Sequence, residues 1–553
     1  MRPSFYRLFH RRNVRLISIF ETNLNVGSEC LVTNLQVFII MKSSLLNILR
    51  QMIGAIGLGF LIAFFSASAG AEEVNWSVGL SKNRILIEAE GFKNSDKSAR
   101  TVIIIAGMQG PSSSSAVLSE FYKSYLDLNE SEALLNLIII PQANPQNELL
   151  VFPPEGEAYR ENSVAHSMWR WLGIQAPDLV VLLDDDSNLI TALQNNAVAG
   201  VGEIPAITFS AQSLSLDWLY QQGSLPVSAA KKEIIRRRAR TPAALATQLA
   251  QYYGHDFSSP VYVPGMALIG RMRLGEVADV DQLANFYIDA EPIDIRSSSL
   301  LAGQLVFAEL AERTNNEGYL QLALRAAELG FDNNGNPKEA MPTHAEMSDA
   351  VFMATPLLAK VGKLTGEQRF AELALVHVQF MQNLLLREDG LYRHTPLADV
   401  AWSRGNGFPA LGLALSLSDI PESSQAFSLL LQSFINHLEA LLPYQDSEGM
   451  WHEVIDYPGS FAEITSTAMI GTAIKRGLDK GWLEPDRFQP VLDRSWQAVL
   501  GRTDFTDGFV NACQSTGKME SLDGYLDRVA IFGRDDRAGG MVMLFASEMG
   551  GNI

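Results

Sequence analysis

From about Val261 to Ile553 one helix-period pattern follows another, and this succession limits the fold more than any other feature of the chain. Turn signals separate patterns over Ser297–Thr314, Gly318–Phe331, His344–Gly362, Gly366–Leu386, Phe408–Leu417, Ser424–Leu442, Phe461–Gly477, Asp486–Gly501 and Asp536–Met549. Weaker helices near Tyr262 and Val280 bring the expected number to about twelve, with no strand-like run between them. Many are apolar almost all round, so they are buried on more than one side. About twelve helices in about 290 residues suit a closed ring of helical hairpins, an (α/α)6 barrel, although packing rules equally allow an open solenoid.

The preceding segment has a different period. "TVIIIAG", "LNLIIIPQANP" and "PDLVVLLDDD" are β-branched runs ending in turn residues, as in buried parallel strands, with helical stretches between them. The expected organisation is a multidomain chain: an α/β domain over 72–212, a connector over 213–260 and the all-α region over 261–553. The connector includes "KKEIIRRRAR", read as a solvated helix face. Residues 1–71 read as an upstream extension and a signal peptide. Lys42 and Arg50 precede an apolar stretch, Met52 to Phe65, and Ala69-Gly70-Ala71 offers a cleavage pattern. That architecture starts at Met41 and predicts export, periplasmic or secreted, with no stable membrane span after cleavage; an uncleaved anchor is the alternative.

A net charge of −19 argues against a nucleic-acid backbone as the main partner and leaves room for an anionic small ligand in a local basic pocket. Two cysteines, Cys30 and Cys513, supply neither a disulfide framework nor a cysteine-rich zinc site. Cys513 reads as a buried thiol.

One acid stands out. In "EMSDAVFMATPLLAKVGKLTGEQRF", Asp349 precedes Ala350, Val351, Phe352, Met353 and Ala354. Thr343 with Glu346 three residues later reads as a capping box, which puts Asp349 in the second turn, where it caps nothing. Apolar surroundings favour a protonated carboxyl, as a general acid near neutral pH requires. Two further stretches carry chemistry. "GLYRHTPLADVAWSRGNGFPALGLALSL" sets His394, Trp402, Arg404, Asn406 and Phe408 around a Gly-rich turn that opens a helix. Trp and Phe offer stacking faces, and Arg offers a planar fork for a carboxylate. "EGMWHEVIDYPGSFAEITSTAMI" places Trp451 and His452 in a loop, with Glu463, Thr465 and Ser466 opening the next helix.

These stretches resemble, in order, successive blocks of the unsaturated uronyl hydrolases, glycoside hydrolase families 88 and 105. The resemblance runs from about Tyr262 to Met549, and the Arg-Gly-Asn-Gly turn is closer to family 105. It implies an (α/α)6 barrel acting on polysaccharide-lyase products, by default unsaturated rhamnogalacturonan disaccharides. An Asp protonates C4 of the terminal 4,5-unsaturated uronic acid, water adds at C5, and the neighbouring sugar is released. Asp349 matches that proton donor; His394, Trp402 and Arg404 match the substrate pocket. Asn406, Phe408, Trp451, Glu463 and Thr465 are carried as further substrate-binding candidates, and no cofactor or metal is implied. The family's second functional Asp falls at Asp294, one helical turn too far from Gly303; spacing alone selects Ser298. Either the loop carries an insertion or the acid is lost. Arg537 stands where His is common, and Met347 where an aromatic is.

The α/β part is similar to the zinc carboxypeptidase (M14-like) fold, with Gln109, Ser112 and Asp184 where metal ligands are expected. Gln and Ser are poor zinc ligands, so the resemblance implies a domain without its metal. Other readings stay open: a different (α/α)6 carbohydrate enzyme, which usually needs two carboxylates, or an inactive carbohydrate-binding homologue.

Overall fold

The computed structural model describes residues 72–551, apart from 130, 131, 186, 515 and 516. The expected extension and signal peptide over residues 1–71, and Cys30 with them, lie outside the described residues. Among those described, no helix is long and apolar enough to cross a membrane.

The β-branched runs form the middle of a six-stranded sheet ordered β1-β2-β4-β3-β5-β6. Its strands are β1 (Glu72–Leu80), β2 (Leu86–Lys93), β3 (Thr101–Ile105), β4 (Asn136–Ile140), β5 (Leu179–Leu183) and β6 (Ala206–Phe209). Strands β4, β3, β5 and β6 are parallel, while β1 and β2 form an antiparallel margin. Alternation along each strand divides the core between two faces. Val102 and Ile104 pack with α1 (Ser113–Leu126), whereas Ile103 and Ile105 pack with α2 (Ser163–Gln175) and α3 (Leu189–Asn195). Covered on both sides, β3 and β5 need an unbroken apolar run, and that is what the sequence supplies.

Next come α4 (Leu216–Gln221), α5 (Ala229–Arg238) and α6 (Pro242–Ala250), then α7 (Tyr262–Arg273), α8 (Val277–Ala284), α9 (Ser298–Gly303), α10 (Leu305–Thr314), α11 (Glu317–Glu328), α12 (Ala350–Thr365) and α13 (Arg369–Leu385). The chain continues through α14 (Ser403–Leu417), α15 (Gln425–Leu441), α16 (Ile464–Asp479), α17 (Pro485–Arg502), α18 (Leu522–Leu526) and α19 (Asp536–Met549). Helices α7, α9, α12, α14, α16 and α19 each touch the next, and α19 returns to α7. Helices α11, α13, α15 and α17 lie outside them, against α12, α12, α14 and α16 respectively. Helix α6 packs on α19, although its sequence falls in the stretch read as a connector.

One expectation fails and a second holds only in part. The helical region does contain strands: β7 (Trp451–His452) pairs with β8 (Ala462–Glu463), and β9 (Gly508–Cys513) pairs with β10 (Ala530–Arg534). Strands β7 and β9 are fully buried and carry no alternation, and β7 and β8 have two residues each, so periodicity alone misses them. The basic helix α5 is solvated on one face, where Lys232 and Arg236 are exposed, but its other face is tied down. Arg237 is buried and donates to the carbonyls of Gly200 and Gly501, while the following Arg240 donates to those of Leu500 and Asp504.

The C-terminal ends of the inner helices meet in paired charge. Lys360 lies 3.3 Å from Glu309, 2.7 Å from Glu312 and 3.0 Å from Asp419. Glu548 is held between Arg273 at 2.8 Å and Arg476 at 2.6 Å. Most of these paired groups line a cavity of about 360 Å³ at the lower end, and the upper end gathers the N-terminal turns of α7, α12, α14, α16 and α19.

Candidate active site

Asp349 is the N-cap residue of α12 rather than a second-turn residue. Thr343, Ala345 and Glu346 have φ of 65°, 51° and 53°, left-handed values that no α-helix contains, so the expected capping box does not form. Nor does the Asp349 carboxylate cap its own helix. It turns toward His394, whose Nε2 lies 3.4 Å from Oδ1; both side chains are largely buried. The other imidazole nitrogen, Nδ1, is 2.8 Å from the Tyr525 hydroxyl. Backbone bonding fixes the pair, since the Ser348 N–H donates to the His394 carbonyl at 3.0 Å. Gly405 permits this approach: a Cβ there would stand 2.8 Å from Ser348 Oγ.

The surroundings of this carboxylate are therefore not the apolar ones its neighbours in sequence suggested. Arg404 opens α14, is 1 % exposed, and donates from Nη1 to the Cys513 carbonyl at 2.8 Å. Its Nε and Nη2 are buried without a protein partner. Arg528 is in the same state: Nη2 donates to the Gly517 carbonyl while Nε and Nη1 are unpartnered. Trp402 carries both cations on its π-system, Arg528 at 4.2 Å and Arg404 at 4.8 Å from its ring. Arg537, in the first turn of α19, lies near Tyr262 at the start of α7, and its charge opposes the effect of burial on that hydroxyl. Helices α7, α12, α14, α16 and α19 thus bring their positive N-terminal ends to this mouth, which favours an anionic ligand.

Beneath the arginines lies Glu453, fully buried, with Oε1 accepting from Trp402 Nε1 at 2.8 Å and from Cys513 Sγ at 3.1 Å. Burial pushes its carboxyl up to about 8, against the pull of Arg528 and Arg404. Near neutral pH it is uncharged, and the arginines keep an excess of positive charge. Burial alone would lower the Arg404 guanidinium, but Cys513, Tyr262, Glu463 and Glu453 outweigh it and hold it above the usual range. Burial raises the Tyr262 hydroxyl, and lifts that of Tyr525 to about 12.

The remaining expected residues divide. Asn406 is spent on the backbone: its amide donates to the Tyr392 and Trp402 carbonyls and accepts from the Tyr392 N–H. Phe408 is 1 % exposed and packs with Tyr262 and Phe352, so it supports the site from below instead of stacking on a ligand. Trp451 is a core residue bonded to the Leu441 carbonyl at 2.9 Å. Glu463 caps α16, accepting from the Thr465 and Ser466 N–H groups, and also accepts from Cys513 N. Thr465 keeps a buried hydroxyl without a partner. Asp294 lies apart, exposed and 2.5 Å from Arg296, on the loop before α9. Ser298, the alternative that spacing favoured, is the first residue of α9.

Sequence reasoning missed Tyr262, Glu453, Tyr525 and Arg528. An Arg three residues after an aromatic, in "YLDRVA", was the available signal for Arg528. In the α/β part, Gln109 Nε2 donates to Asp185 at 2.9 Å, and Asp184 accepts from Ser114 at 2.7 Å. Among the described residues no group of three or more His, Cys, Asp or Glu is placed to hold a metal ion.

Residues 293–552 match the family model described as Glycosyl Hydrolase Family 88. The chain is similar to an unsaturated rhamnogalacturonyl hydrolase, YesR, of Bacillus subtilis (strain 168), 27% identical over 218 residues, covering 38% of this chain and 58% of that protein. It is also similar to an unsaturated 3S-rhamnoglycuronyl hydrolase of Alteromonas sp. (strain LOR), 26% identical over 214 residues, covering 36% and 50%. The chain thus spans little more than half the length of these relatives. A crystal structure of a possible GH105 family member from Klebsiella pneumoniae subsp. pneumoniae MGH 78578 aligns with TM-score 0.49 and 21% identity, over 56% of this chain and 92% of that one. Over residues 293–552 the chain is thus similar to the Glycosyl Hydrolase Family 88 proteins.

Proposed function

We propose that the chain is a hydrolase that removes the terminal 4,5-unsaturated uronic acid from polysaccharide-lyase products, using a site at one mouth of an (α/α)6 barrel. The return of α19 to α7 supports the barrel. The observation that carries the activity is one carboxylate, Asp349, facing His394 beside two buried arginines, Arg404 and Arg528, with unpartnered N–H groups. Arg404 and Arg528 hold the substrate carboxylate on C5, and Trp402 backs them. Asp349 gives its proton to C4, and positive charge at C5 is shared with the ring oxygen. Water adds at C5, and its proton returns to Asp349. The C5–O5 bond of the resulting hemiketal opens to a ketone, and the hemiacetal left at C1 releases the neighbouring sugar. His394 passes a proton along the Asp349–His394–Tyr525 line, so one acid serves both steps. The exposed position of Asp294, paired with Arg296, favours this over a two-carboxylate glycosidase.

The named activities of the relatives support unsaturated rhamnogalacturonyl or rhamnoglycuronyl oligosaccharides as substrates. The export expected from residues 41–71 belongs to the same proposal. Incubation with lyase-digested rhamnogalacturonan and with other lyase-cut uronates, following loss of alkene ultraviolet absorbance, tests it. Absorbance that persists with every digest refutes the activity.

A further inference from the structure

The α/β region is fastened to the two segments that carry the non-helical wall of the site. Arg84, in the turn between β1 and β2, lies 2.6 Å from Asp527 and 3.4 Å from Asp523, at the end and start of α18. Tyr525 sits between those two acids, and Arg528 follows them. Arg170 on α2 is 8 % exposed and donates from Nη1 to Asn511 Oδ1 at 2.7 Å and to the Ala530 carbonyl at 2.9 Å. One guanidinium thereby ties β9 to β10. Strand β9 ends at Cys513, whose carbonyl holds Arg404, and β10 begins two residues after Arg528. Tyr159 stacks on Phe461 at 4.9 Å, and the Phe461 carbonyl accepts the Glu453 N–H at 2.7 Å. Leu80 and Ala158 share one apolar cluster with Trp402, Cys513 and Tyr525.

We infer that the α/β region is a built-in brace of the active site, in which Arg84 and Arg170 are positioning residues that hold Tyr525, Arg528 and the Arg404 anchor in place. This rests on the functional reading above. It gives the region a task that needs no chemistry of its own. Neither arginine reaches the substrate. Each acts through a wall of short elements, since α18 has five residues and β9–β10 is a two-stranded ribbon that leans on α16 and α17.

The test uses the full chain. Arg84 is partly exposed, so Arg84→Ala should fold. The expected result is KM for an unsaturated disaccharide raised about three- to fivefold, the scale of an accessible ion pair, with kcat within about twofold of the parent. Hydrogen–deuterium exchange should rise over residues 522–530 and stay unchanged over α7. The exchanged pair Arg84→Asp with Asp527→Arg should restore both values. Unchanged KM in Arg84→Ala overturns the inference, whatever the exchange does. So does exchange that rises across the whole chain, since that reports general destabilisation. If the parent chain shows no turnover, the functional reading fails, and the exchange measurement alone decides the brace: no local rise over 522–530 ends it.

Discussion

Glu453 accepts a 2.8 Å hydrogen bond from the indole of Trp402, the ring on which Arg404 and Arg528 rest. Its carboxyl is pushed up to about 8 by burial, so its charge changes just above neutrality. Once ionised, it competes with the substrate carboxylate for the same guanidinium groups. KM should therefore climb as pH passes about 8, and Glu453→Gln should remove that climb. The stability sign follows from linkage. The unfolded chain releases this proton near the ordinary 4.5 and the folded chain near 8, so this group's contribution falls as pH rises between them. Thermal melts across pH 5–9 should show a smaller alkaline loss in Glu453→Gln. Identical pH profiles for the two proteins would sink the assignment.

Asp349→Asn should fold as the parent does and lose at least about three orders of magnitude in kcat, because an amide supplies no proton to carbon. In heavy water the parent enzyme should place deuterium at C4 on one face. Preformed product in the same solvent controls for exchange next to the C5 ketone. Prompt product without deuterium at C4 rules out alkene hydration.

Arg404→Lys and Arg528→Lys keep charge but lose the planar fork. Each should raise KM about tenfold, the two together more, with kcat less affected. The double mutant should not equal the product of the singles, since both cations lie on Trp402. Wild-type KM in either single mutant removes that residue from the carboxylate site.

Asn406→Ala should destabilise by about 3 kcal/mol, because it strands buried backbone groups of Tyr392 and Trp402. At a temperature where the variant is folded, its KM should stay close to the parent's. A large KM change without loss of stability would return Asn406 to the ligand-binding set.

The legible parts of this chain were those in which one physical demand dominates. Strands β3 and β5 are covered on both faces and must be apolar throughout, so their runs announced them. Asp349 was visible as a polar residue among apolar ones, and His394 and Arg404 followed from a Gly-rich turn. Hidden from view were residues whose role depends on distant partners. Glu453 follows a His and precedes a Val, as any loop acid might, and only the arrival of Cys513 and Trp402 buries it. The capping box was misread because Thr343 and Glu346 have the right types, but their left-handed backbone carries the chain through a turn. Asn406 and Phe408 share the motif's turn with Arg404, yet Asn406 faces the backbone and Phe408 the core. Sequence proximity could not separate them.

Full-length protein purified with zinc present should retain none stoichiometrically. Gln109 and Asp184, two of the three expected ligand positions, are bonded to Asp185 and Ser114. Elemental analysis after dialysis checks this; one zinc per chain with peptidase activity overturns it.

The contact of α19 with both α16 and α7 also sets an order of events during synthesis. Helix α7 is the first of the six inner helices to be made and α19 the sixth, so the face of α7 that α19 covers waits for residues 536–549. Buried Arg273 and Arg476 wait with it for the carboxylate of Glu548. Every chain length between the end of α7 and the end of α19 therefore exposes a seam, and a ribosome stalled just before residue 536 displays a helical array with an open, sticky edge. Chains cut at that point should be found with chaperones or in aggregates, not as slightly weakened enzymes.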